Sequence, residues 1–294
     1  MSLDGLVLRR YAMNIQSGIS GVGTWLALSV LLFPAAMKAQ SSEPAPEELI
    51  RRVVENELHA ERADTSHWMF RLETENKKGQ QEVDEVVETN AGDLKRAISI
   101  NGHSLTAEEQ RQYDARFRRN LKALRKKQKD KNEDAAKSRE MLRILPEAFL
   151  FSDGERRGDL EKLDFKPNPR FHPRNREAEV FHVMEGSVWL DMKQNRLVAI
   201  SGHLTKRVEF VGGLLGHLDK DGTFDVKQPE VAPGYWELTR LDVNMNGKAL
   251  FFKTIRVRQK YSRSEFKRVP NDLTVAQATE MLKKQSVSPG ASGQ

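Results

Sequence analysis

Leu49, Ile50, Val53, Val54 and Leu58 recur at spacings of three and four between Glu47 and His59, with Pro46 just ahead of them. One apolar stripe with proline in the first turn predicts a short amphipathic helix. The period then changes to two. Trp68, Phe70 and Leu72 alternate with Met69, Arg71 and Glu73, and after a turn near Gly79 the runs Val83 to Thr89 and Leu94 to Ile100 follow, separated by Asn90-Ala91-Gly92-Asp93. These are three antiparallel strands with charged outer faces, as in a sheet with one wet side. From the capping box Thr106-Ala107-Glu108-Glu109 a helix carries Tyr113, Phe117, Leu121 and Leu124 on one side. Between Arg125 and Arg139 no apolar stripe is found, so this stretch is expected to project into solvent as a helical arm or charged loop. Apolar character returns at Met141 to Leu145, and Pro146 is expected to end the helix.

Beyond it the pattern is strand after strand: Ala148 to Ser152, Leu160 to Lys166, Glu179 to Asp191, Leu197 to Thr205, Arg207 to Phe210, Gly222 to Pro229, Tyr235 to Met245 and Ala249 to Tyr261. Lys193-Gln194-Asn195, Asp219 to Gly222, Ala232-Pro233-Gly234 and Asn246-Gly247 supply the turns, the last of these reading as a hairpin. A weak helix from Thr274 to Lys284 precedes a Ser/Pro/Gly/Gln tail from Ser286 that reads as disordered. Roughly eleven strands and few helices describe a single α+β domain. A strongly bent antiparallel sheet of that many strands tends to curl, and it comes with an N-terminal helix and a long helical insertion at about 105–145.

The first forty residues follow another plan. Arg9 and Arg10, an apolar run from Trp25 to Met37, and Ala39 form the three parts of a secretory signal, with cleavage expected after Ala39. The run from 25 to 37 is short of the roughly 20 residues that span a bilayer. Periplasmic or secreted residence is therefore expected. The chain of 294 residues has no cysteine, which excludes disulfides, thiolate metal sites, cysteine nucleophiles and a lipid anchor on an N-terminal cysteine. Its 48 basic and 42 acidic residues leave a net charge of +6, too mild and too mixed in sign for a dedicated nucleic-acid binder.

Little in the sequence carries catalytic chemistry. His182, His203 and His217 fall on neighbouring candidate strands without the spacing of a metal site. His217 to Gly222 resembles a calcium loop but lacks its terminal Glu, no Gly-x-Ser-x-Gly occurs, and the glycines between Phe210 and Gly216 lack the lysine of a phosphate loop. Those glycines read as a bend that lets the sheet curl. No cofactor is expected. Trp68, Phe70, Phe165, Trp189, Phe210, Trp236 and Phe252 lie on many strands, and a curled sheet is expected to turn them toward one apolar interior that is either a packed core or a ligand cavity. Arg125, Lys126, Lys127, Lys129 and Lys131 form a basic run, a solvated face or a contact for anionic headgroups or a partner.

Phe165-Lys166-Pro167-Asn168-Pro169-Arg170-Phe171-His172-Pro173, Gly186-Ser187-Val188-Trp189-Leu190-Asp191 followed by Arg196-Leu197-Val198, and Gly234-Tyr235-Trp236 resemble an uncharacterised family of secreted bacterial proteins. That family is similar to the outer-membrane lipoprotein-sorting proteins of the LolA, LolB and LppX type. The resemblance spans about residues 45–270, and the basic insertion departs from it. It implies an unclosed β-barrel with helices in its concave side, a greasy cavity and periplasmic residence. The expected function is a non-enzymatic carrier for an acyl chain or lipidated protein. The alternative is a structural or protein-interaction module of the cell envelope with a closed core, and a hydrolase is a third.

Overall fold

The computed structural model describes residues 44–75, 79–175, 177–210, 216–249 and 253–285. The signal segment, the tail from 286, the glycine bend at 211–215 and Phe252 lie outside them.

Helix α1 (Pro46–Ala63) buries the stripe expected of it, Leu49, Ile50, Val53, Val54 and Leu58. The first meander follows as β1 (His67–Glu75), β2 (Gln81–Val87), β3 (Leu94–Ile100) and the short β4 (His103–Ser104). Two helices come next, α2 (Ala107–Lys122) and α3 (Leu124–Ala148), joined through Ala123 alone. The second meander is β5 (Phe149–Arg157), β6 (Leu160–Pro167), β7 (Met184–Asp191), β8 (Arg196–Leu204), β9 (Val208–Phe210), β10 (Gly216–Leu218) and β11 (Thr223–Lys227). A small hairpin, β12 (Glu230–Ala232) and β13 (Tyr235–Trp236), precedes the long pair β14 (Arg240–Ala249) and β15 (Lys253–Val269), and α4 (Val275–Gln285) closes the described chain.

Every described strand pair is antiparallel, and the main sheet runs β4-β3-β2-β1-β15-β14-β11-β8-β7-β6-β5, with β10 also paired to β14 and β9 to β10. The sheet is not closed. Cross-strand partners share a face, so the register follows one inner face across it. That face carries Phe151, Phe165, Gly186, Gly202, Phe224, Val243 and, through Leu241 and Tyr261, reaches Leu72 and Phe70. Helices α1 and α3 cover its β5 to β8 end. Trp68, Phe70, Leu72 and Val86 are covered instead by Val231, Ala232 and Tyr235 of the β12–β13 hairpin. On the outer face, Met69, Val87 and Leu94 pack against Leu124 and against Ala278 and Leu282 of α4, so this terminal helix is a buried part of the domain rather than an appendage.

Four local expectations fail for identifiable reasons. Asn246-Gly247 is not a hairpin but lies inside β14, paired with Arg256 and Ile255, and the chain reverses between Ala249 and Lys253. Glycine is needed at 247 for close approach: a Cβ there would stand 2.0 Å from the His217 carbonyl oxygen. Residues 177–183 form a 3-10 helix rather than the start of a strand, with the Ala178 amide donating to Asn175 Oδ1 at 2.8 Å. Pro146 does not end α3, which continues to Ala148 and closes when Phe149 N donates to the Leu145 carbonyl. A proline in the last turn forfeits only its own bond. Finally, the 125–139 stretch is not a free arm. Ala135 and Ser138 are buried, and Arg139 Nη1 stands 3.0 Å from Glu61 Oε1 of α1. Between 125 and 139 the described buried positions of α3 are small residues, which an apolar-stripe test passes over.

Candidate functional site

Two adjoining cavities lie between α3 and the inner face. The larger has a volume of about 70 Å³, and Ser138 and Gln228 are the only polar residues among those lining it. The smaller, about 20 Å³, lies toward α1 and is lined by Ile50, Val53 and Val54, with Glu57 its polar member. Leu142, Leu145, Phe149, Leu197 and Ile200 line both, so these side chains are the partition between them. Helix α3 forms the roof of each, and its small Ser138 leaves the space that a leucine there would fill.

Between α1 and the sheet lies a buried ionic knot. Glu57, 3% exposed, stands in the apolar stripe of α1 four residues after Val53. Arg196 Nε and Nη2 donate to its two oxygens at 2.7 and 3.0 Å, the Leu197 amide donates at 2.8 Å and Gln228 Nε2 at 3.1 Å. The Arg196 guanidinium also lies 5.2 Å from the Trp236 ring centre, and Trp236 Nε1 donates to Gln194 Oε1 at 3.3 Å. One carboxylate thus ties α1 to β8 and to the stem of the β12–β13 hairpin. It accepts four bonds, which is what a buried carboxylate requires.

The aromatic residues expected to share one interior are distributed among several places. Phe165 lines the smaller cavity. Trp68 and Phe70 sit under the hairpin, in edge contact with Tyr235 and stacked on Phe266 respectively. Trp236 is packed against Arg196, and Phe210 against the rim of the main core. Trp189 points away from the cavities, because Val188 and Leu190 on either side of it face them, and its ring lies under Arg157 at 4.8 Å. Among the described residues no tryptophan lines either cavity. Of the basic run, the backbone of Arg125, Lys126, Lys127, Lys129 and Lys131 is the first two turns of α3, and Lys129 is exposed. No group of three His, Asp or Glu side chains suited to a metal comes together among the described residues.

A second polar cluster, which sequence patterning did not single out, joins α2 to β2. Tyr113 Oη donates to Glu82 Oε2 at 2.9 Å, Arg116 pairs with the same carboxylate, and Arg116 Nη2 lies 3.6 Å from Asp84 Oδ1. Burial, then the neighbouring Glu82 charge, pushes the Asp84 carboxyl up to about 7, against the pull of Lys95 and Arg116. Burial also acts on Glu82, but the hydrogen bonds and charge of Arg116 hold that carboxyl below its usual value. Burial, followed by the bond to Glu82, moves the Tyr113 hydroxyl to about 12. Asp84 therefore keeps its proton in the folded state long after an unfolded chain would release it. Its contribution is complete below the ordinary carboxyl value of 3.8 and is lost as pH rises through about 7. Melting temperatures across that range are expected to fall for the wild type relative to Asp84→Asn, the gap opening between pH 4 and 7 and then staying constant. A gap independent of pH would show that the fold leaves the Asp84 carboxyl at its ordinary value.

Comparison with known proteins supplies no relative to set beside this geometry: no family model, no curated protein and no solved structure matches the chain. The site must be read from its own chemistry.

Proposed function

We propose that this chain is a non-enzymatic binding protein of the cell envelope, built on the unclosed-barrel plan of the lipoprotein-sorting carriers. Its leader is removed near Ala39, it resides in the periplasm, and it takes up an apolar chain between α3 and the inner face of the sheet. The observation that carries this reading is the larger cavity: apolar apart from Ser138 and Gln228, roofed by one helix, and divided from a second, mostly apolar space only by side chains that line both. Burial of an acyl chain there is worth about 0.8 kcal/mol per methylene without any charged contact.

The size of the cavity favours a second reading, a closed interaction module. A dry cavity of about 150 Å³ accepts benzene, and about 70 Å³ is half of that. Uptake of an acyl chain on the first reading therefore requires α3 to move outward. Palmitate titrated into the full chain after organic extraction separates the two. Saturable binding is expected, about tenfold weaker in Ser138→Leu, whose added carbons displace roughly two methylenes of ligand. Circular dichroism should be unchanged by that substitution. Absence of saturable binding in the stripped wild type would leave the closed module.

A further inference from the structure

The net charge of the whole chain understates one place. Between Arg111 and Lys131 there are ten basic residues and two acidic ones, a net of +8, so the remaining residues together carry −2. This segment is the junction of α2 and α3. Phe117, Leu121 and Leu124 anchor it to the outer face of β1 to β3, which fixes the orientation of both helices. Arg118, Arg119 and Lys122 are exposed and form no ion pair with a described residue. The aromatic residues of the junction are already engaged, Tyr113 with Glu82 and Phe117 in the core.

We propose that the α2–α3 junction is a docking surface for an anionic lipid bilayer. Charge complementarity selects the partner class, and the absence of free aromatic rings disfavours single-stranded nucleic acid, whose bases need stacking platforms. Nor does the exposed face offer an apolar wedge, so adsorption is electrostatic and leaves the helices outside the hydrocarbon. The surface does not depend on the cavity being a ligand site. Helix α3 nonetheless spans both, beginning in the junction and ending as the roof over the cavities.

Cosedimentation of the full chain with vesicles tests this. Binding is expected to phosphatidylethanolamine vesicles containing phosphatidylglycerol, not to phosphatidylcholine alone, and should vanish near 1 M salt, where the screening length is about 3 Å. Each basic residue near such a surface contributes roughly a fivefold factor, so Arg118→Gln with Arg119→Gln and Lys122→Gln should weaken binding on the order of a hundredfold. Arg118→Lys with Arg119→Lys should retain it. A control triple of exposed residues on other elements, Lys193→Gln, Lys206→Gln and Lys248→Gln, should change it far less. Equal losses in both triples, equal binding to phosphatidylcholine, or tighter binding to a single-stranded oligonucleotide than to the anionic vesicles would each overturn the proposal. Palmitate binding measured on the same variants reports on the cavity separately.

Discussion

Glu57→Ala should lower stability by about 3–5 kcal/mol, because it strands the buried Arg196 guanidinium, to which no other carboxylate among the described residues is bonded. For a domain of this size that corresponds to a fall in melting temperature on the order of 10 °C. Gln228 and the Leu197 amide lose their acceptor in the same step, adding unsatisfied donors to the unpaired charge. The double variant Glu57→Leu with Arg196→Met removes both charges and should recover most of the loss, since buried pairs replaced by apolar residues of similar volume are often neutral. A double variant no more stable than Glu57→Ala alone would mean that the lost stability lies in helix packing rather than in the ion pair.

The second large effect is expected at Gly186→Val. Gly186 pairs with Gly202 across β7 and β8, with the Phe165 and Phe224 rings close to them. A Cβ at 186 would lie 2.0 Å from the Ser201 carbonyl oxygen and 2.6 Å from the Gly202 Cα, and one at 202 would lie 2.3 Å from the Glu185 carbonyl oxygen. These obstacles are backbone, so the two strands must part. A cost of about 3 kcal/mol or more follows, at the upper end of overpacking penalties. Ser187→Val, one position along on the outer face, should cost well under 1 kcal/mol. Equal melting temperatures for the two variants would show that β7 and β8 tolerate a wider spacing here.

Periodicity made most of the helices and strands readable. The α1 stripe, the alternation along β1, β2 and β3 and the Thr106 capping box are each patterns that repeat within a few residues. At the capping box, for instance, Glu109 N donates to Thr106 Oγ1 at 3.3 Å and Thr106 N to Glu109 Oε2 at 2.8 Å. Asn246-Gly247 misled because its turn preference is a local energy, whereas its place in β14 is set by ten paired positions along β15 and by the approach of β10. The placement of Trp189, half-buried on the outer face, and of Trp236, buried under the hairpin, away from the cavities was equally hidden. A tryptophan on a strand announces a buried site but not which face supplies it. Glu57 was readable in position, as an acid on an apolar stripe, but its partner lies 139 residues away and no local pattern names it.

The pairing of β1 with β15 sets how the molecule yields to tension. His67, where β1 begins, is opposite Val269, where β15 ends, so the two flanking segments of the chain leave the sheet side by side. Once α1 and α4 have been peeled away, a pull on the two chain ends therefore loads one end of this ladder and opens it rung by rung, rather than straining all its hydrogen bonds together. A processive unfoldase that has stripped α1 or α4 would next meet this seam from its open end, at the line that joins the first meander to the rest of the sheet.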